Sequence, residues 1–460
     1  MFGRAKTQRQ REIVKGSVLK SNVNLEQKIE ETRAYNCVEC GICTGSCPVS
    51  RVNPDFSPRL MVEKLLLGPQ DEILSDRELW SCLTCLTCSV RCPAKVDYNE
   101  FMRAARVAAR AAGFEGVDSH AGVLRSIMEL HAKGFEPKGT SWLDTSLRTC
   151  TRGDDFYFVG CLPYFDVIFR NIELKSTPIA QSAVKLMNMV GITPVVSENE
   201  RCCGHDFYWS GNYEGFEKLA RYNQKLISDS GAKRVVFTCP EGYHTFSKIY
   251  PTVLGELKFE VVHITDILLE KARKGELKLQ SPAGLRRSET PDSGDVKARG
   301  GTTGESGGSG NAKTGDAATV ESRGSGDAKS GGATSGESID SNAGRIRVTF
   351  QDPCRMGRMM GRTEGMRELL GLIPGVELIE MPRNRANAVC CGSSEWVSCV
   401  LCNKQIQLDR LAEARETGAS ILVTACPKCR IHLTCAQYDK DRDFDIEIRD
   451  IVSLVLDAAG

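Results

Sequence analysis

The chain lacks any run of about eighteen apolar residues, so no membrane-spanning helix of its own is expected. Its opening stretch, Met1–Glu30, holds no apolar segment of the kind that drives secretion, and no signal peptide is expected. Net charge is nearly absent as well. Sixty Lys and Arg stand against 59 Asp and Glu, which leaves no global field to attract nucleic acid. A flavin or nicotinamide fingerprint, with glycines set between a strand and a helix, is also missing. The glycine pairs of residues 280–344 lack that context. This segment has no aromatic residue and almost no aliphatic one, so it cannot bury enough apolar surface to offset its ordering entropy and reads as a flexible linker. A basic tail (1–30) with Arg4, Lys6, Arg9, Arg11 and Lys15 reads as a solvated face or a docking strip.

Cysteine, by contrast, is plentiful: 21 residues, gathered in clusters. In a chain without an export signal, clustered cysteines read as metal ligands rather than as a disulfide framework. Two runs, Cys37-x2-Cys40-x2-Cys43-x3-Cys47-Pro48 and Cys82-x2-Cys85-x2-Cys88-x3-Cys92-Pro93, are complete bacterial-ferredoxin combs. In such combs the fourth cysteine serves the other cluster. The spacing therefore assigns Cys37, Cys40, Cys43 and Cys92 to one [4Fe-4S] cubane, and Cys82, Cys85, Cys88 and Cys47 to a second. Zinc favours paired C-x2-C and tetrahedral closure, and suits this comb poorly.

Further along, Cys354, Cys390-Cys391-Gly392 and Cys426-Pro427-Lys428-Cys429 form a C…CCG…CPxC pattern. An upstream copy is damaged: Cys161, Cys202-Cys203-Gly204 and Cys239-Pro240-Glu241-Gly242. Adjacent cysteines are poor disulfide partners, since the ring they form is strained. Several thiolates converging on one inorganic core suit them better, and Gly392 permits close backbone approach or a conformation that other residues resist.

The expected fold class is α plus α/β: a helical two-cluster ferredoxin domain, then a duplicated α/β domain with mostly parallel strands. Ser57-Pro58 and Gly68 bound one helix, Ser75 with Glu78 suggests a capping box before Cys82, and Asp97 with Glu100 opens the helix Tyr98–Ala112. Apolar runs at Phe156–Val159, Val235–Thr238, Val348–Phe350 and Ile421–Thr424 read as strands leading into cysteines. Even the tails His263–Leu268 and Glu447–Val452 match, as a duplication requires. The expected divisions are the tail, a ferredoxin section (31–113), a helical connector (114–153), a first half (154–279), the linker (280–344) and a second half (345–460).

These residues together resemble the heterodisulfide reductase family in its fused form, with the ferredoxin part and two CCG domains in one chain. Similar domains occur in iron–sulfur subunits of glycolate and glycerol-3-phosphate oxidases and of sulfate-reducer transmembrane complexes. The resemblance implies a noncubane [4Fe-4S] cluster on Cys354, Cys390, Cys391, Cys426 and Cys429, where a thiol or disulfide substrate is handled. It also implies partner redox subunits: a membrane cytochrome or quinone subunit, or a hydrogenase or flavoprotein. A cytoplasmic place follows, at the inner membrane face where such partners hold it. The first half departs from the family pattern, because Gly242 stands where the last cysteine belongs. Its Cys161, Cys202, Cys203 and Cys239 leave two readings open: a further [4Fe-4S] cluster, with help from His205 or His244, or a half kept for packing.

Other residues carry paired readings. Cys399-x2-Cys402 is a redox dithiol or a pair of small core residues; Cys150 and Cys435 are read as structural. Trp209 and Trp396 line a cleft or pack a core. His432 donates a proton to a departing thiolate or orients a ligand.

Overall fold

The structure, a computed structural model, describes residues 25–135, 139–283, 285, 344–392, 395–397, 399, 401–438 and 444–460. Arg4, Lys6, Arg9, Arg11 and Lys15 of the tail and linker residues 284 and 286–343 lie outside them, as does the side chain of Cys402.

In the N-terminal section the Ser57 hydroxyl accepts from Leu60 N (3.3 Å), and Pro58 starts helix Pro58–Leu67, which ends at Gly68. Asp97 accepts from Glu100 N (3.3 Å) at the head of helix Tyr98–Ala111. This helix buries Phe101, Met102, Ala105 and Ala108 on one face, at the spacing an amphipathic helix requires, and packs on helix Leu25–Glu31. The capping box at Ser75 is corrected. Asp76 caps the turn Arg77–Trp80 by accepting from Glu78 N (2.9 Å), while the Ser75 hydroxyl donates back to Glu72 O (2.9 Å). A carboxylate one residue later offers the stronger acceptor to the same turn.

The two cysteine combs fold alike. Cys47 and Cys92 each close a five-residue helix, Ile42–Ser46 and Thr87–Arg91, with φ/ψ of −73/124° and −72/119°. Both helices are entered through a left-handed residue, Gly41 (φ 75°) in the first and Leu86 (φ 67°) in the second. Leucine has no natural place there, so surrounding contacts hold it.

Beyond residue 154, strands β1 (Asp155–Phe158), β2 (Arg234–Phe237) and β3 (Glu260–His263) form a parallel sheet in that order. The second half builds β4 (Ile346–Gln351), β5 (Val376–Leu378), β6 (Ile421–Thr424) and β7 (Glu447–Asp450) into a parallel sheet ordered β5-β4-β6-β7. β1, β2, β4 and β6 are mostly buried and largely apolar, as strands covered on both faces are, while the edge strands β3, β5 and β7 are only partly buried. The duplication extends to the edge. Where the second half has β5, the first has only isolated parallel bridges among the described residues, Val195 to Phe156 and Val195 to Cys150. The halves also exchange helices: Thr177–Met189 packs on Ile451–Ala459, and Ile264–Arg273 on Glu364–Gly371. One apolar core consequently runs through both.

Candidate metal centres

Parallel strands discharge their chain at one end, and that end is where α/β sheets place ligands. Cys161 follows β1 and Cys239 follows β2; Cys354 follows β4 and Cys426 follows β6. Cys161, Cys239 and Cys426 cap the helices that follow, and Cys354 is the first residue of helix Cys354–Met360. Exposed N–H groups at helix starts favour thiolate. At Cys426 the contact is direct: its sulfur accepts from Cys429 N at 3.5 Å.

The five second-half thiols form an unbroken hydrogen-bonded series, Cys354 to Cys390 to Cys391 to Cys429 to Cys426. Bonds from Cys390 and Cys429 hold the Cys391 thiol down to about 6, against its burial. His432 Nδ1 lies 3.4 Å from Cys391 Sγ, and its Nε2 is buried without a partner. Burial, helped by the Lys428 charge, holds this imidazole neutral, down to about 3. Gly392 has φ 88°, and a Cβ there would meet Asn403 O and Gln407 Cγ, each at 2.8 Å. Left-handed backbone and close approach both require glycine.

Of the ferredoxin sets, Cys82, Cys85, Cys88 and Cys47 are brought together and interact electrostatically. Burial pushes Cys47 up to about 11 and Cys82 up to about 12. Burial makes ionisation of Cys47, Cys82 and Cys88 costly, and such thiolates need cationic partners, which is what iron supplies. Cys37, Cys40 and Cys43 also gather. Cys92 stands at the end of the other comb, in the backbone conformation that Cys47 has in the first. The donor sets fit iron–sulfur clusters.

In the first half Cys161, Cys202 and Cys203 are hydrogen-bonded neighbours, and Cys239 feels Cys203 and, from the other half, Cys426. Together with Trp396 they line a cavity of about 40 Å3. The fifth position is closed. A Cβ on Gly242 would lie 2.9 Å from the Phe237 ring, where the other half has the smaller Thr424. His205 faces this cavity with Nε2 unpartnered, whereas His244 and Trp209 line a different and larger one. Trp396 stacks on Phe169 and meets His432 edge-on.

Charges that the sequence did not flag hold the sites together. Arg106, fully buried, donates to the carbonyls of Leu79 (3.1 Å), Cys82 (2.7 Å) and Trp209 (3.1 Å) and to Glu395 (3.0 Å). Arg355 donates to Thr84 O (2.9 Å) and Arg358 to Cys85 O (2.6 Å), while the Thr84 hydroxyl donates to Glu395 (2.6 Å). The loop of the second comb is thus clamped to the second half, and Cys390, Cys391, Cys426 and Cys429 share a buried cluster with it. Across the halves, Lys428 Nζ bonds Asp206 (2.7 Å) and Glu241 (2.8 Å). Despite burial, Lys428 and His205 hold the Asp206 carboxyl well below the usual range. Cys399 is exposed, Cys150 donates to Thr193 O (3.3 Å), and Cys435 lies 3.3 Å from Lys404 Nζ.

Comparison with known proteins gives matches of different reach. The CCG family, a cysteine-rich domain, matches residues 156–247 and 348–434, and a 4Fe-4S dicluster domain matches 33–96. A subunit of the dihydromethanophenazine:CoB–CoM heterodisulfide reductase of Methanosarcina barkeri is 24% identical over 92% of this chain and 93% of its own. The probable iron–sulfur-binding oxidoreductase FadF of Bacillus subtilis is 22% identical over 93% of this chain and 61% of its own. A smaller match is a subunit of the H2:CoB–CoM heterodisulfide,ferredoxin reductase of Methanothermobacter thermautotrophicus, 46% identical over 17% of this chain and 42% of its own. Among the described residues no helix is long and apolar enough to cross a membrane.

Proposed function

We propose that this iron–sulfur oxidoreductase, a 4Fe-4S dicluster domain joined to two CCG cysteine-rich domains, takes electrons from a partner redox subunit and reduces a disulfide at its second CCG site. The observation that carries the reading is the five-thiol series in direct contact with the second comb's buried core. Two cubanes and one noncubane cluster would supply one-electron storage and an iron site for sulfur. Cys37, Cys40, Cys43 and Cys92 would hold the first cubane, and Cys82, Cys85, Cys88 and Cys47 the second. Cys354, Cys390, Cys391, Cys426 and Cys429 would hold the noncubane cluster. The chain's own work is positional. Arg106, Arg355 and Arg358 fix the comb loop against the second half, and their charges offset the thiolates. Partner subunits of the kind the family resemblance implies, a membrane cytochrome or quinone subunit, would place the protein in the cytoplasm, at the inner membrane face.

One observation favours a second reading, a pure electron relay between a membrane quinone or cytochrome subunit and other redox proteins. The Phe237 ring closes the fifth position of the first half, so a pair of five-thiol sites flanking one disulfide is not available. Anaerobic protein should carry ~12 iron per chain; ~16 would add a cluster on Cys161, Cys202, Cys203 and Cys239. A cognate thiol added to oxidised protein should raise a new paramagnetic signal, lost in Cys391→Ala while both cubane signals persist. Cys40→Ala should leave that signal and block electron delivery. If a broad panel of thiols leaves the wild-type spectrum unchanged, the relay reading stands instead.

A further inference from the structure

The cavities of this molecule differ in the sign of the charges that line them. The largest, about 850 Å3, carries Glu100 and Glu214 as well as Arg103 and Lys248. Three others likewise set carboxylates beside their cations, with Glu198, Asp118 and Asp206 among their walls. A fifth, of about 200 Å3, lies where both cysteine combs meet the second half. Arg51, Arg91 and Arg383 line it, and no carboxylate does. Ser46 and Pro48 of the first comb, Thr87 of the second, and the run 387–390 complete the wall.

The three guanidinium groups are unequally committed. Arg383 is tied to Glu413, with Nη2 2.9 Å from its carboxylate, and Arg91 donates to Asn387 Oδ1 (2.7 Å). Arg51 and Arg91 are exposed, and neither has an ion pair among the described residues. Arginine stays charged at any working pH, so the pocket holds positive charge that its own walls do not neutralise. The hydroxyls beside it are engaged, Ser46 with Ile42 O (2.7 Å) and Thr87 with Cys85 Sγ (3.3 Å). Recognition therefore falls to the arginines, whose planar forks match the oxygens of an oxyanion. The volume admits such a group with a short carbon chain and is below the ~300 Å3 at which sites for larger ligands begin. We infer that this pocket binds a small oxyanion: a carboxylate, phosphate or sulfate group. It is either a free anion or the acid end of a small thiol, since Cys390 of the five-thiol set belongs to the same wall. Binding does not depend on disulfide reduction; only the second source rests on that reading.

Inorganic phosphate, titrated by calorimetry into the full-length anaerobic protein with its clusters, should bind saturably and one to one. Arg51→Gln and Arg91→Gln each remove one charge-assisted contact and should weaken binding about ten-fold or more. Arg51→Glu should abolish it. Lys28→Gln, a change in the wall of the largest cavity, should leave it at the wild-type value. Iron content should be unchanged throughout; if Arg91→Gln loses iron, the two Arg51 variants decide. The thiol-induced paramagnetic signal separates the sources. Phosphate that displaces 3-mercaptopropionate but not uncharged 2-mercaptoethanol assigns the pocket to the acid end of a thiol. Phosphate that binds without displacing either assigns it to a free anion. No saturable phosphate binding to wild type would overturn the inference, as would wild-type affinity in the Arg51 variants. Absence of any thiol signal would remove the disulfide reading and leave the phosphate titration to judge the pocket.

Discussion

His263 and Asp450 end β3 and β7, at equivalent places in the two halves, and each caps the next helix, His263 Nδ1 from Thr265 N and Asp450 Oδ1 from Val452 N. Burial acts on them with opposite sign. It holds the imidazole of His263 down to about 4 and pushes the carboxyl of Asp450 up to about 7. A histidine with a depressed folded value binds protons better unfolded, so its contribution is lost as pH falls from ~6.5 toward 4. A carboxyl with a raised folded value binds them better folded, so its contribution is lost as pH rises from ~4 toward 7. Asp450→Asn keeps the acceptor without the charge. It should raise the unfolding free energy from urea denaturation at pH 8, by as much as ~4 kcal/mol, and change little at pH 4.5; equal shifts at both values would refute this account. Gly242 makes a second residue-level case. Gly242→Cys alone should add no iron, because its Cβ meets the Phe237 ring at 2.9 Å. Combined with Phe237→Thr, the residue type the other half carries, it should raise iron by about four per chain.

At the scale of elements, the cysteine combs, the strands and their repeat were legible because each rests on local chemistry. A comb needs its spacing, a buried parallel strand its apolar run, and the CCG turn its glycine at φ 88°. Gly392→Ala should accordingly erase the thiol-induced signal and leave both cubane signals, checked by electron paramagnetic resonance. Three features were not legible. Asp76 outcompetes Ser75 for a single turn, a choice made by geometry one residue wide. The Val195 bridges lack a strand's length and hence its pattern. Arg106 sits in an alanine-rich helix where arginine reads as a solvated residue, and nothing nearby announces that its four acceptors come from Leu79, Cys82, Trp209 and Glu395.

At the scale of the molecule, packing between the helices of the two halves and the buried charges join three sections into one compact unit. Glu395 is the keystone, facing Thr84, Arg106 and Arg355 from a left-handed backbone (φ 53°). Glu395→Gln would leave two buried guanidinium groups without their counter-charge, at a cost of about 3–5 kcal/mol. Denaturation of the anaerobic protein should show that loss, with the second cubane and the CCG site perturbed together; a loss confined to one would separate the sections. The same contacts impose an order on biosynthesis. Thr84 and Glu395 are 311 residues apart, so at roughly 5–20 residues per second the comb loop waits about 15–60 s for the segment that seals it. During that wait the ribosome-bound chain would show Cys82 and Cys85 to whatever delivers iron and sulfide, so insertion of a cluster on Cys82, Cys85, Cys88 and Cys47 would be timed by translation. Slowing elongation between codons 100 and 390 should increase its occupancy in iron-limited cells more than that of the first cubane, where Cys40 remains exposed in the finished fold.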